Sequence, residues 1–347
     1  MSAFVFNAWY AAAFPEEIGE TLLARSLLGL LVLMYRTAAG EAVAMLDRCP
    51  HRFASLSKGR RLGDQVECIY HGLRFDAAGR CTRSPYHEEL PDIGVRTFPL
   101  VERFGIAWIW MGEAALADPA EIPDHSHMHA PGYRTITGYQ SYKGDWQLCN
   151  DNLLDLTHLF WLHTSTIGGY KEEAGPAPGE EYHVRQDGER VVGRNLTPNV
   201  TRPGVADNGV PPGVPYDQWN DIVWTCPGSF SFNIHAAPAG RRDVKPYMMQ
   251  SHLITPAGPG ETHYFWTAVR SFDQDPGRDE KWRKFFGGIF HAEDAPIMED
   301  IERQMAGREL MEMRPVILPR DKGAIMARRT VARRLARERG ELAEAAE

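Results

Sequence analysis

Over residues 1–120 the apolar positions come in short runs of strand-forming residues. Residues 27–35 and 42–46 are two such runs, and residues 37–40 (TAAG) between them read as a hairpin turn. Residues 65–70, 73–75 and 104–110 are further strand candidates, punctuated by Gly63, Gly72 and Gly79. Two prolines in residues 118–123 (DPAEIP) close this pattern. They suggest a β-rich domain over residues 1–120 and a second domain over residues 121–347. In the second domain the apolar positions 153, 154, 156, 159, 160 and 161 follow helical rather than alternating spacing. Residues 174–215 are rich in Gly, Pro, Asn and Asp and predict long loops. Residues 219–235 and 247–271 return to strand patterns, residues 280–311 read as helical, and residues 324–347 predict an Ala/Arg/Glu-rich helix. The expected class is α+β.

Composition narrows the function. The 347 residues are 43% hydrophobic and 24% charged, a globular balance in which two domains are the natural expectation. Lys and Arg number 38 against 46 Asp and Glu, a formal charge of −8. Phosphate backbones would repel such a chain, which disfavours a general nucleic-acid binder. The apolar runs fall far short of the roughly 20 residues that span a bilayer, so no membrane partner is expected. No Lys or Arg precedes the first apolar stretch, so the N-terminus does not read as a secretory signal. Five cysteines are odd in number and too sparse for a disulfide scaffold. The expected setting is the reducing cytoplasm.

Two constellations carry chemistry. In the first, Cys49-Pro50-His51 is followed by Cys68-Ile69-Tyr70-His71, a C-x-H-x16-C-x2-H pattern. A Cys2His2 zinc finger pairs cysteine with cysteine and histidine with histidine, whereas each loop here offers one of each. Two thiolates on one iron and two imidazoles on the other is what a Rieske-type [2Fe–2S] cluster requires, with the neutral imidazoles raising its potential. The surrounding RCPHR and CIYHGLRFD resemble the Rieske domains of aromatic-ring oxygenases.

In the second constellation Asn152, Asp155, His158 and His163 form N-x2-D-x2-H-x4-H. Asn152, Asp155 and His158 share a helical face. Five residues of helix leave His158 and His163 about 140° apart, so joint ligation predicts a break or bulge near Phe160–Trp161. Two histidines plus a carboxylate make the facial triad of non-haem Fe(II) oxygenases, and residues 291–295 (HAEDA) offer Glu293 or Asp294.

The chain is similar to oxygenase components of the vanillate O-demethylase type, a group that includes dicamba and toluenesulfonate methyl-monooxygenases. The resemblance extends to NAWYAAA, the IW-x-W pair and the HLITP and THYFW strands. It implies an all-β Rieske domain, then an antiparallel-sheet catalytic domain with covering helices of the START-like helix-grip kind. It implies Asp294 as the carboxylate ligand. Asp155 becomes a bridge accepting hydrogen bonds from His158 and from His71 of a neighbouring subunit, within a head-to-tail homotrimer. Asn152 is implied to lie near the open coordination positions, and His252 to meet a substrate carboxylate. An NAD(P)H-dependent reductase of ferredoxin or flavin type is the implied electron donor, since no G-x-G-x-x-G for a dinucleotide is present. The implied reaction is insertion of one oxygen atom from O2 into a small aromatic substrate, most simply O-demethylation or methyl hydroxylation of an aromatic acid. A ring dioxygenase and a plain Rieske electron carrier are the competing readings.

Other signals carry less. His125, His127 and His129 (H-x-H-x-H) are expected on a solvated loop, and Cys81, Cys149 and Cys226 as small buried hydrophobes. Six arginines between 328 and 339 read as a solvated helix face, or as a docking surface for an acidic electron donor. Asn233 and His235 alternate along one strand and share a face, with Asn233 a candidate substrate contact and Phe230 and Phe232 placed on that same face as stacking partners.

Overall fold

The computed structural model describes residues 4–86, 92–164, 166–167, 179–200 and 214–340. The chain forms two compact units. One is Phe6–Ile122 with Thr255–Gly258; the other is Met1–Val5, Pro123–Ile254 and Pro259–Glu347.

The described residues of the first unit form three small antiparallel sheets. One orders Trp9–Ala13, Ile106–Trp110 and Leu100–Arg103; a second orders Leu23–Leu27, Leu30–Arg36, Ala42–Leu46 and Thr97–Phe98. The third orders Arg60–Leu62, Gln65–Glu67, Arg74–Phe75 and Cys81–Arg83. The run at residues 27–35 is interrupted, because Leu28 and Gly29 turn the chain at φ 52° and 79°. Alternate residues of the strands bury Leu33, Tyr35, Met45, Val66 and Phe75 in one core, and Cys49 and Cys68 belong to it. The strand expected over residues 65–70 stops at Glu67. From there the backbone leaves the ladder to build a loop.

The second unit centres on a seven-stranded antiparallel sheet. Its order is Arg134–Tyr142, Glu261–Arg270, Met248–Gly258, Ser229–Pro238, Tyr216–Thr225, Arg190–Val200 and Glu181–Asp187. Nearly every residue of Met248–Gly258 and Glu261–Arg270 is buried, so these central strands are covered on both faces. The helices are α1 (Trp146–Leu154), α2 (Leu159–Leu162), α3 (Asp279–Ile289), α4 (Ala295–Met305) and α5 (Lys322–Glu338). No helix among the described residues is long and apolar enough to cross a membrane.

Three expectations need correction here. Within residues 174–215, Glu181–Asp187 and Arg190–Val200 pair as a hairpin turned at Gly188, φ 58°, rather than forming loops throughout; residues 201–213 lie outside the described residues. His125 is 1% exposed and far from solvated: its two ring nitrogens meet Ser251 Oγ at 2.9 Å and Ser229 Oγ at 2.8 Å, and His127 Nε2 shares Ser251. Helix α5 is only partly a solvated face. Arg328 is buried and donates to Asp151 of α1 and to Glu309, which pins α5 to α1. Of the predicted helix, residues 341–347 lie outside the described residues.

Candidate metal centres

The two Cys–His loops are built alike. Cys49 N–H donates to the Ala54 carbonyl while Phe53 N–H donates back to the Cys49 carbonyl; Cys68 N–H donates to Leu73 and Gly72 N–H returns to Cys68. The fourth residue past each cysteine takes a left-handed conformation, Phe53 at φ 62° and Gly72 at φ 72°. This repeated knuckle turns each loop back on itself. It brings the sulfurs of Cys49 and Cys68 into contact and the rings of His51 and His71 to 4.5 Å between centroids. Sulfurs therefore meet sulfurs and imidazoles meet imidazoles, the division a [2Fe–2S] cluster with two ligand types requires. Burial pushes the Cys49 thiol up to about 11, so a bound cation is what would make it a thiolate. His71 Nδ1 is buried with no hydrogen-bond partner among the described residues, a donor atom available to take iron.

The second centre lies in the second unit. Helix α1 ends at Asp155, whose extended backbone (φ −119°, ψ 97°) breaks the helix before a 3₁₀ turn at Leu156–His158 and the short α2. The break thus falls ahead of His158 and not at Phe160–Trp161. The His158 and His163 rings still meet, 5.2 Å apart, because His158 closes the 3₁₀ turn and His163 leaves the one-turn α2 at φ −96°, ψ 37°. A π-turn does occur, but in the other contributing segment, Phe290–Asp294 between α3 and α4. Its cause is legible in the chain: Pro296 has no N–H to donate to the carbonyl four residues back, so the helix widens there. That turn presents Asp294, which is 4% exposed.

Both imidazoles converge on one carboxylate oxygen. His163 Nε2 lies 3.2 Å and His158 Nε2 3.6 Å from Asp294 Oδ1, and the three donor atoms lie within 4.8 Å of one another. The far side of each ring is tied back. His158 Nδ1 donates to the Asp155 carbonyl at 2.6 Å, and His163 Nδ1 donates to Glu293 Oε2 at 2.6 Å. A carbonyl and a carboxylate only accept, so each Nδ1 holds the proton and each Nε2 offers its lone pair to the centre. Burial lowers the His158 pKa; at His163 burial is outweighed by the hydrogen bonds and charges of Asp294 and Glu293, which raise it. Asn152 Nδ2 donates to Asp294 Oδ1 at 3.2 Å, holding the carboxylate. Neighbours Glu293 and Asp294 therefore divide the work: Asp294 faces the centre and Glu293 orients His163. Two imidazoles and one carboxylate on one side of a site suit a facial iron triad.

The Asp155 carboxylate does not reach His158. It accepts from Thr157 N–H at 2.9 Å, and only the Asp155 backbone carbonyl meets the ring. That corrects the expected side-chain contact.

A largely apolar cavity opens beside the triad, walled by Leu159, Ile234, Met248, Phe232, Ile289 and Phe290. His252, Gln250, Asn220 and Gln218 supply its polar wall, and no Lys or Arg is among the described lining residues. Strand pairing sets Phe230 opposite His252, Phe232 opposite Gln250 and Asn233 opposite Met249. Asn233 and His235 thus face the other side of the sheet from His252 and Phe232, and Asn233 is no cavity residue. The expectation that the phenylalanines share the Asn233 face fails on the same alternation. Alternation from His252 would have pointed to Gln250 in the sequence. Nothing in the sequence pointed to Asn220, which arrives from two strands away.

Residues 8–99 match the Rieske [2Fe-2S] domain family, and residues 142–337 match the vanillate O-demethylase oxygenase C-terminal domain family. The chain is 35% identical to the oxygenase component of dicamba O-demethylase from Stenotrophomonas maltophilia, covering 94% of this chain and 97% of that protein. It is 34% identical to the vanillate O-demethylase oxygenase subunit of Pseudomonas sp. (strain ATCC 19151), over 89% and 95%. A crystal structure of dicamba monooxygenase with non-haem iron and dicamba superposes with a TM-score of 0.83 at 33% identity, over 98% of this chain and 100% of that one.

Proposed function

The chain belongs to the Rieske oxygenase components with a vanillate O-demethylase-type C-terminal domain, and on that premise we propose that it removes the methyl group of a methoxylated aromatic acid. It is an iron oxidoreductase with a [2Fe–2S] cluster and a mononuclear non-haem iron, and it works with a separate reductase. In this reading Cys49, His51, Cys68 and His71 hold the cluster, and His158, His163 and Asp294 hold the iron. The iron, fed with electrons from the cluster, supplies the activation of dioxygen.

The observation that carries the reading is the convergence of both Nε2 atoms on Asp294 Oδ1 beside an apolar, aromatic cavity. The protein's own task there is placement. Phe232 and Phe290 flank an aromatic ring, Asn152 steadies Asp294, and His252 meets the substrate's anionic group from the sheet. The reaction balances as ArOCH3 + O2 + 2e⁻ + 2H⁺ giving ArOH, HCHO and H2O, through a hemiacetal that collapses. The reductase is proposed to be NAD(P)H-dependent and of ferredoxin or flavin type, and the setting cytoplasmic. The proposed assembly is a head-to-tail homotrimer in which His71 of one subunit and Asp155 of the next bridge cluster and iron. Asp155 supports that bridge through its backbone carbonyl on the His158 ring, its half-buried carboxylate being left for His71 of the neighbour.

Iron and acid-labile sulfide analysis, with turnover of methoxybenzoates by a surrogate reductase under ¹⁸O2, tests the reading. Expected are three irons and two sulfides per chain, formaldehyde released, and an unlabelled phenol oxygen. Two irons and two sulfides with no further iron uptake would leave an electron carrier. A doubly labelled cis-diol would make it a ring dioxygenase.

A further inference from the structure

We infer that Tyr264 fixes His252 as a hydrogen-bond donor to the ligand, so that the cavity selects a group presenting an acceptor oxygen. The inference rests on reading this cavity as the substrate site. His252 is 2% exposed; its Nδ1 lies 2.6 Å from the Tyr264 hydroxyl, while its Nε2 is buried with no partner among the described residues. Two polarities are possible for that contact. Were the proton on Nδ1, the Tyr264 hydroxyl would receive it and its own proton would find no acceptor among the described residues. Nε2 would then be a bare lone pair. With Tyr264 donating instead, the ring proton sits on Nε2, and every donor is used once an acceptor oxygen enters. The first polarity strands the Tyr264 hydroxyl proton away from the cavity, whereas the second leaves its spare donor on His252, a cavity-lining residue that an acceptor oxygen can reach, so the second polarity wins.

The ring cannot swing to escape this choice. Phe232 packs on it at 4.8 Å and Phe290 meets it edge-on at 5.5 Å, and Phe290 also braces Tyr264 at 5.1 Å. Burial keeps the imidazole neutral, pushing its pKa down to about 3. A carboxylate or carbonyl oxygen is therefore met by an oriented dipole, with the Gln250 amide on the same face of the strand and no lysine or arginine among the described lining residues. Tyr264 acts through His252 and is a positioning residue.

Neutron diffraction from deuterium-exchanged crystals of the holoenzyme reads the polarity without a ligand. Deuterons on Tyr264 Oη and His252 Nε2 are expected, and a deuteron on His252 Nδ1 overturns the inference. In solution, Tyr264→Phe should weaken 3-methoxybenzoate binding by about tenfold and leave 3-methoxyaniline nearly unchanged. Unchanged or tighter benzoate binding would also overturn it. In a His252→Gln background, whose amide donates without help, Tyr264→Phe should shift benzoate binding less than about twofold; an undiminished effect would reduce Tyr264 to packing. If the wild type binds neither probe, the substrate reading falls, and the deuteron positions still decide the role of Tyr264.

Discussion

Replacing Glu293 with Gln isolates the contribution of a charge that meets His163 from behind, away from the proposed iron site. Glu293 Oε2 accepts from His163 Nδ1 at 2.6 Å and from Thr166 Oγ1 at 2.7 Å. Glutamine keeps the length and a carbonyl with two lone pairs, so both hydrogen bonds survive and only the charge is lost. Hydrogen bonds to charged groups contribute roughly 1.5–3 kcal/mol and neutral ones roughly 0.5–1.5. His163 is 1% exposed, so water does not screen the difference. A loss of about 1–1.5 kcal/mol is expected, which is roughly five- to tenfold in iron affinity. Glu293→Ala should cost more, about 100-fold, because it strands a buried N–H and frees the ring to rotate. The assay is iron occupancy at equilibrium against a graded chelator, with acid-labile sulfide on the same samples as the internal control. Sulfide should not change, since the cluster loops belong to the other compact unit. If Glu293→Gln emptied the site as completely as Asp294→Asn, Glu293 would itself be a ligand. Wild-type affinity in both Glu293 variants would equally refute the reasoning.

Asp155→Asn should keep both metals, because the asparagine still caps Thr157 and the backbone carbonyl still holds His158; stopped-flow reoxidation of the reduced cluster with substrate present should slow roughly 10–100-fold. Stability should fall in mild acid. Burial holds the folded pKa of His125 and His252 at about 3, whereas an unfolded histidine titrates at about 6.5. The unfolded chain therefore binds the extra protons, and each histidine withdraws about 1.4 kcal/mol per pH unit as pH drops from about 6.5 towards 3. Urea midpoints at pH 7 and pH 5 measure this, and His125→Gln should show the shallower decline. Gly138→Ala should lower the melting temperature by several degrees in calorimetry, at a cost of roughly 1–3 kcal/mol. The added Cβ would stand 2.1 Å from Trp266, a ring packed on Phe286 and Phe290. An unchanged melting temperature would mean that the Trp266 ring shifts away from Gly138 at no cost.

The donor types of both candidate centres were readable from the chain, because they are set by residue identity and short spacing. C-x-H and C-x2-H state what each loop can donate, and the run from Asn152 to His163 states that two imidazoles are near. The bipartite strand-then-helix pattern gave the class of fold for the same reason: alternation and helical periodicity are local. Tertiary structure decided what depends on segments far apart in sequence. Glu293 and Asp294 are adjacent acids that sequence alone cannot rank; the π-turn before Pro296 and the position of His163, 130 residues upstream of Glu293, turn one towards the centre and the other towards the ring. The H-x-H-x-H segment looked solvated because its partners, Ser229 and Ser251, lie more than 100 residues away. Asn233 was misplaced because a strand's period separates two faces without saying which one meets the cavity. That assignment waits on the helices that cover the sheet.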